Sequence, residues 1–133
     1  MANTASYSVQ VTAVATPTSA EGVVCTFPPA FDVTGPTSGQ NTRVSGSLNI
    51  TAGAGTTAVV VRVRQGANTT TGTVVGVAET DTLAAAASGS IPFDFIDLTN
   101  QYLSSQYSLT VQQTGGTAAG TVNLASASVE AAQ

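Results

Sequence analysis

Apolar and small polar residues alternate with a period of two along most of this chain, the pattern of half-buried β-strands. Tyr7, Val9, Val11 and Ala13 interleave with Ser8, Gln10 and Thr12 and predict a first strand. Gly22 to Phe27 is an apolar run of the kind expected when both faces of a strand are buried. Pro28-Pro29 ends it, because proline donates no hydrogen bond to a ladder. In a third strand Val44, Leu48 and Ile50, with Gly46 between them, share one face, and Ser45, Ser47 and Asn49 occupy the other. In the fourth, Val59, Val61 and Val63 point one way and Arg62 and Arg64 the other. Val75 and Val77 mark a fifth strand, Ile91, Phe93 and Phe95 a sixth, and Tyr107, Leu109 and Val111 a seventh. The eighth begins at Val122 and Leu124 and has changed phase by Ala127 and Val129, which suits a β-bulge.

The separators are turn formers: Thr51 to Gly55, Gly66 to Asn68, Ala87 to Gly89 and Thr114 to Thr117. Residues 1–6 read as an N-terminal tail, and 28–41 as a long loop too rich in Pro and Gly for a regular element. Leu98 to Ser105 and Leu83 to Ala87 have room for a helical turn each, but no stretch sustains a 3.6-residue period. A length of 133 residues fits one domain, spanning 1–133. Eight short strands joined by Gly-rich turns predict an all-β fold, an antiparallel β-sandwich. Eight strands favour a jelly roll over the seven-stranded immunoglobulin type, whose buried Trp and Cys pair are missing here.

Composition narrows the chemistry. Charged residues are 8% of the chain, against roughly 25% in ordinary soluble domains. His, Trp and Lys are absent, and the only cations are Arg43, Arg62 and Arg64 on a chain of net charge −4. Nucleic-acid binding rests on clustered basic residues that neutralise phosphates, so this composition argues against it. All three arginines precede Gly66, and beyond it every charge is acidic, an asymmetry that suits either head-to-tail contacts or scattered solvated charges. The longest apolar runs, Ala58 to Val61 and Leu83 to Ala87, are far too short to cross a bilayer as a helix. Met1 to Tyr7 has neither the basic nor the apolar region of a secretory signal, so the expected place of assembly is a cytoplasm. Asn49-Ile-Thr51 and Asn68-Thr-Thr70 then match the glycosylation pattern by chance in a Thr-rich chain.

No catalytic constellation emerges. Cys25 is the single cysteine, flanked by Val23, Val24 and Phe27, and reads as a small core residue without a base to activate it. Asp94 and Asp97 form the densest acidic pair, but residues three apart on a strand face opposite ways and do not converge on one substrate. Asp94 and Asp97 could join Asn100 as oxygen ligands for Ca²⁺, but local turn hydrogen bonds from Asp97, Thr99 and Asn100 are the preferred reading, because the Asp/Gly spacing of a calcium loop is missing. Walker-A, HExxH, zinc-type Cys spacing and the Gly-x-Ser-x-Gly elbow are absent. The expectation is a protein that is not an enzyme and needs no cofactor or metal. Tyr7, Tyr102 and Tyr107 could stack on sugars, but Tyr7 and Tyr107 fall in phase with core positions.

Outward positions are mostly Thr, Ser, Gln, Asn and Ala, and the small β-branched and hydroxyl side chains among them lose little rotamer entropy on contact, where Lys and Glu lose much more. Such a surface suits a building block packed among its own copies. The strand phrases Val44-Ser-Gly-Ser-Leu-Asn-Ile-Thr, Gly55-Thr-Thr-Ala-Val-Val-Val-Arg-Val-Arg-Gln-Gly and Tyr107-Ser-Leu-Thr-Val-Gln-Gln-Thr-Gly carry a resemblance. In texture, not in any diagnostic motif, the chain resembles small single-jelly-roll structural proteins of bacteriophage particles, the capsid decoration or cement and minor capsid proteins. The resemblance implies self-association, with a homotrimer favoured, a major capsid protein as partner, and a place in the virion. In that setting Phe31, within the 28–41 loop, is a candidate docking residue, unless it pins its own loop. Arg62 and Arg64 are candidates to pair with a neighbour's carboxylates, with same-chain pairing or solvation as the alternatives. A cell-surface filament or adhesin subunit would need export, and a tumour-necrosis-factor-like lectin domain would need to bind glycans.

Overall fold

The computed structural model describes residues 4–27, 41–75, 79–82, 87–97 and 106–132. Eight strands are formed: β1 (Thr4–Thr16), β2 (Glu21–Phe27), β3 (Asn41–Thr51), β4 (Ala58–Gln65), β5 (Glu79–Asp81), β6 (Ser88–Asp97), β7 (Tyr107–Thr114) and β8 (Gly120–Ala132). They make two four-stranded antiparallel sheets, ordered β1-β8-β3-β6 and β2-β7-β4-β5. β1 pairs with β8, β2 with β7, β3 with β6 and β4 with β5, so the chain is one long antiparallel hairpin. Rolling that hairpin adds the β3–β8 and β4–β7 ladders and closes the sandwich. This is the jelly-roll arrangement expected from the alternating pattern.

The inward residues are the predicted ones on most strands. Val44, Leu48 and Ile50 on β3, Val59, Val61 and Val63 on β4, and Tyr107, Leu109 and Val111 on β7 are all buried. Ile91, Phe93 and Phe95 complete the core from β6, the two rings stacked with centroids 5.9 Å apart. Valine recurs here because β-branched side chains suit the pleated surface and fill narrow gaps between sheets.

Departures from simple alternation have local causes. β1 starts at Thr4, so Thr4, Ala5 and Ser6 of the expected tail pair with Ala132, Ala131 and Glu130. Its apolar phase breaks at Ala13, which is exposed at φ 56°, and Val11 and Val14 pack against the core instead. β8 carries the matching irregularity. Asn49 pairs with Leu124 but Ile50 with Val122, leaving Asn123 as an added residue opposite β3, while Ala13 matches it on β1. The predicted phase change in β8 is therefore real and falls at Asn123, before Ala125 and Ala127 turn inward. In β2 the apolar run reflects a bulge between Val23 and Cys25, which buries Val24 and Cys25 in succession, and not burial on two faces.

The fifth strand is displaced from its expected position. Val75 is in the core and its N–H donates to the Val63 carbonyl at 2.7 Å, yet Val74 makes only an isolated bridge to Arg64. The strand itself is Glu79–Asp81 against Val59–Val61, and Val77 lies outside the described residues. β4 is thus bordered by two short pieces, because a polar segment at Glu79 to Asp81 completes what the valines begin. The 28–40 loop with Phe31, the Leu98 to Ser105 segment and residues 83–86 also lie outside the described residues.

One end of the sandwich is closed by a buried amide. Gln113, on β7, is fully buried. Its Oε1 accepts from the Gly53 N–H at 2.7 Å and from the Thr56 hydroxyl at 2.8 Å. Its Nε2 donates to the carbonyls of Pro17 at 3.1 Å and Ala118 at 3.4 Å. One side chain thus fills its whole hydrogen-bonding capacity on the β1–β2, β3–β4 and β7–β8 connections. Gly53 permits the approach, since a Cβ there would run into the Ala118 carbonyl oxygen. The Thr117 and Ala118 N–H groups both donate to the Ala54 carbonyl, tying the same turns by backbone. A Gln113→Leu variant would keep the volume but leave the buried Gly53 N–H and Thr56 hydroxyl without their acceptor. We expect it to lose roughly 3 kcal/mol or more of unfolding free energy in urea titrations.

Candidate interaction surfaces

The outward faces of the two sheets differ sharply, and the difference originates in the charged residues. On the β2-β7-β4-β5 sheet, Glu21 reaches across the central strand β7 to both arginines of β4. Its Oε1 accepts from Arg62 Nη1 at 3.0 Å and Arg64 Nη2 at 2.9 Å, and its Oε2 from Arg64 Nε at 2.6 Å. Arg62 Nη1 also donates to Gln112 Oε1 at 2.9 Å, and Arg64 Nη1 to the Gly72 carbonyl at 2.6 Å. Burial pushes the Glu21 carboxyl up, but hydrogen bonds from Arg64 and Thr110 and the charges of Arg64 and Arg62 outweigh it and hold it below its ordinary value. Arg64 is raised by its hydrogen bond to Glu21, against a smaller opposing effect of burial.

The Gly66–Gly72 turn folds over the same face. Thr69 N–H donates to the Ser108 hydroxyl at 3.1 Å, which itself donates to the Gly66 carbonyl at 2.7 Å. Asn68 N–H donates to Thr26 Oγ1 at 3.0 Å. Ser108 and Thr110 point outward from β7 by alternation and yet are fully buried under this cover. Arg62 and Arg64, named from sequence as interface candidates, thus have their carboxylate partner within the chain. Glu21 was not singled out from sequence. Its only signal was being an isolated carboxylate at the start of a strand, and the pairing across β7 required the sheet order.

The outer face of the β1-β8-β3-β6 sheet is bare by comparison. Ser47 on β3, Ser88, Ser90 and Pro92 on β6, and Thr121, Asn123 and Ser126 on β8 are exposed. A polar ladder crosses three strands at one end. Asn123 Nδ2 donates to Asn49 Oδ1 and to Thr51 Oγ1, both at 2.9 Å, Asn49 Nδ2 donates to Ser90 Oγ at 3.3 Å, and the Thr51 and Ser88 hydroxyls lie 2.7 Å apart. At the other end Arg43 grips Asp94 with two hydrogen bonds, 2.8 Å from Nε and 2.6 Å from Nη2. Those bonds hold the Asp94 carboxyl below its usual value, only slightly opposed by burial. Ile96, directly opposite Arg43 in the β3–β6 register, is the large exposed apolar side chain among the described residues. A shallow depression of about 200 Å³ lies in the middle, lined by Ser45, Gly46, Ser126, Ala127 and Ser128.

Neither face gathers reactive groups. Asp94 is engaged by Arg43, and the side chain of Asp97 is not among those described. Among the described residues no group of three or more Cys, Asp or Glu side chains is placed to hold a metal ion. Cys25 is buried, and burial pushes its thiol up to about 11. Tyr107 belongs to the core, while Tyr102 and the side chain of Tyr7 fall outside the described set.

No protein-family profile and no curated protein matches this sequence. Solved structures do match in shape. VP2 in the subviral particle of infectious bursal disease virus superposes with a TM-score of 0.52 at 10% identity, over 98% of this chain and 37% of that one. A chain in the structure of the Gx strain of the same virus gives 0.51 at 10% identity, over 97% of this chain and 32% of that one. The chain therefore spans about a third of the length of these viral chains. At such identity the likeness establishes the fold, a sandwich of the kind found in a viral particle protein, and does not single out bacteriophages. A match to a pilus chain of Bacillus endospore appendages, 17% identical over 97% of this chain and 86% of that one, has a TM-score of 0.39 and carries no weight.

Two measurements check these environments. A carboxyl with a depressed folded-state value stabilises the fold above the unfolded value of 4.5, and that contribution is lost as pH falls through the folded value. Glu21→Gln should therefore unfold at lower urea than wild type at pH 7, with the gap shrinking as pH drops from about 5 toward 2. Cys25 should resist Ellman's reagent at pH 8 in the folded protein and react at once when the chain is unfolded in guanidinium.

Proposed function

We propose that this chain is a structural, non-catalytic subunit of a virus particle, which packs among copies of itself and attaches to a shell built by a major capsid protein, as a decoration or minor capsid component. The observation that carries this reading is the open outer face of the β1-β8-β3-β6 sheet, whose described side chains are uncharged apart from the Arg43–Asp94 pair and are mostly short, Gln10 and Ile96 excepted. Ordered Lys or Glu side chains would each lose rotamer entropy in a contact, whereas Ser, Thr and Ala lose little. The fold shared with VP2 supports the same reading, as does the lack of converging reactive groups among the described residues. Phe31 in the 28–40 connection is a proposed contact to the shell, through an aromatic anchor of the kind that dominates binding energy. Quantitative mass spectrometry of density-purified particles, from a source carrying this gene, tests the assignment. The chain should band with the shell protein at a fixed copy ratio, and its confinement to particle-free fractions would overturn the reading.

A further inference from the structure

We infer that the outer face of the β1-β8-β3-β6 sheet is a homotypic contact: two copies of this chain pair through it, face to face about a two-fold axis. The proposal deepens the structural-subunit reading and rests on it. It begins from the asymmetry of the sandwich. The opposite outer face is already covered by the Gly66–Gly72 turn and the Glu21–Arg62–Arg64 network, to the point that Ser108 and Thr110 are fully buried. The β1-β8-β3-β6 face has no such cover among the described residues.

Three features of that face favour a second copy as its occupant. Charge is the first. The chain carries −4 overall, so like copies repel, but this face holds little of that charge: Arg43 and Asp94 are locked together, and Glu130 stands opposite Arg43 in the β3–β8 register. Apposing two such faces brings few charges together, and the arrangement is self-complementary, with Arg43 of each copy able to meet Asp94 of the other. The second is polar satisfaction. Asn49, Thr51, Ser88, Ser90 and Asn123 already bond to one another, so covering them strands fewer donors and acceptors than covering water-dependent side chains would. The third is area. Four strands about 4.8 Å apart and about ten residues long present roughly 600 Å². Two such faces bury roughly 1,200 Å², which reaches the range of specific interfaces. The short Ser45, Ser47, Ser126 and Ser128 side chains at its centre let the sheets approach there, as stacked sheets of small neutral residues do. A two-fold contact is isologous and yields an even-numbered assembly, in place of the trimer that the phage resemblance implies.

Sedimentation velocity on the full chain, across micromolar to submillimolar concentrations, tests the pairing. Wild type should associate as a dimer. Ser47→Arg and Ser126→Arg, on the central strands β3 and β8, should each weaken the association at least tenfold with an unchanged circular dichroism spectrum, while Thr73→Arg, an exposed position outside this face, should leave it unaltered. A monomeric wild type, or association that both face variants retain, overturns the proposal. Failure of the particle assignment would be read separately, from the absence of the chain in purified particles, so the two ideas fall by different results.

Discussion

The amide of Gln113 is the constraint on which one whole end of the molecule depends. A buried amide with any unmet donor or acceptor would cost about as much as a neutral hydrogen bond contributes several times over. Every one of its four valences must therefore find a partner, and the partners lie on three separate connections. This demand fixes where Pro17, Gly53, Thr56 and Ala118 sit relative to one another, and with them one end of six strands. A leucine of similar size would have filled the space without specifying the turns.

Strand β7, which carries Gln113, is buried on both sides. Its inward residues meet the valine core, and its outward Ser108 and Thr110 lie beneath the turn after β4 and the arginine–glutamate network. The sparse charge of the chain is thus distributed with purpose. Two of its three cations are drawn onto one sheet by a single carboxylate, and the third is paired on the other sheet. Sheet edges are managed by geometry more than by charge. Pro92 removes an N–H from the edge strand β6, β5 has only three residues, β2 carries a bulge, and Ala13 breaks the phase of β1 at a positive φ. These are the devices by which proteins discourage uncontrolled strand addition, and they leave faces and connections as the surfaces through which copies can meet.

The layering was legible in the sequence because period-two alternation is a local property: Val59, Val61 and Val63 against Arg62 and Arg64 state a strand and its faces without reference to anything else. Bulges were only half legible. The slip in β8 showed as a phase change, but its position at Asn123 is set by the registers with β1 and β3, and Val24-Cys25 looked like two-sided burial until the pairing with β7 was known. The fifth strand misled because Val75 and Val77 advertise burial while Glu79 to Asp81 does not, and backbone pairing at an edge needs no apolar side chains. Glu21 and Gln113 were invisible for a shared reason. Apart from the Gln113–Ala118 bond, their roles come from partners more than forty residues away in the chain, and no local pattern encodes such a meeting.

The placement of β8 between β1 and β3 has a consequence for how the molecule comes into being. β1 and β3 do not touch as a pair, and each waits for the same late segment to lie between them. Without that segment β1 has no partner in its sheet, and Val122, Ala125 and Ala127 are missing from the inner face. Closure of that sheet is therefore a long-range event, joining Thr16 to Gly120 and Thr4 to Ala132, and folding is slow by its wiring.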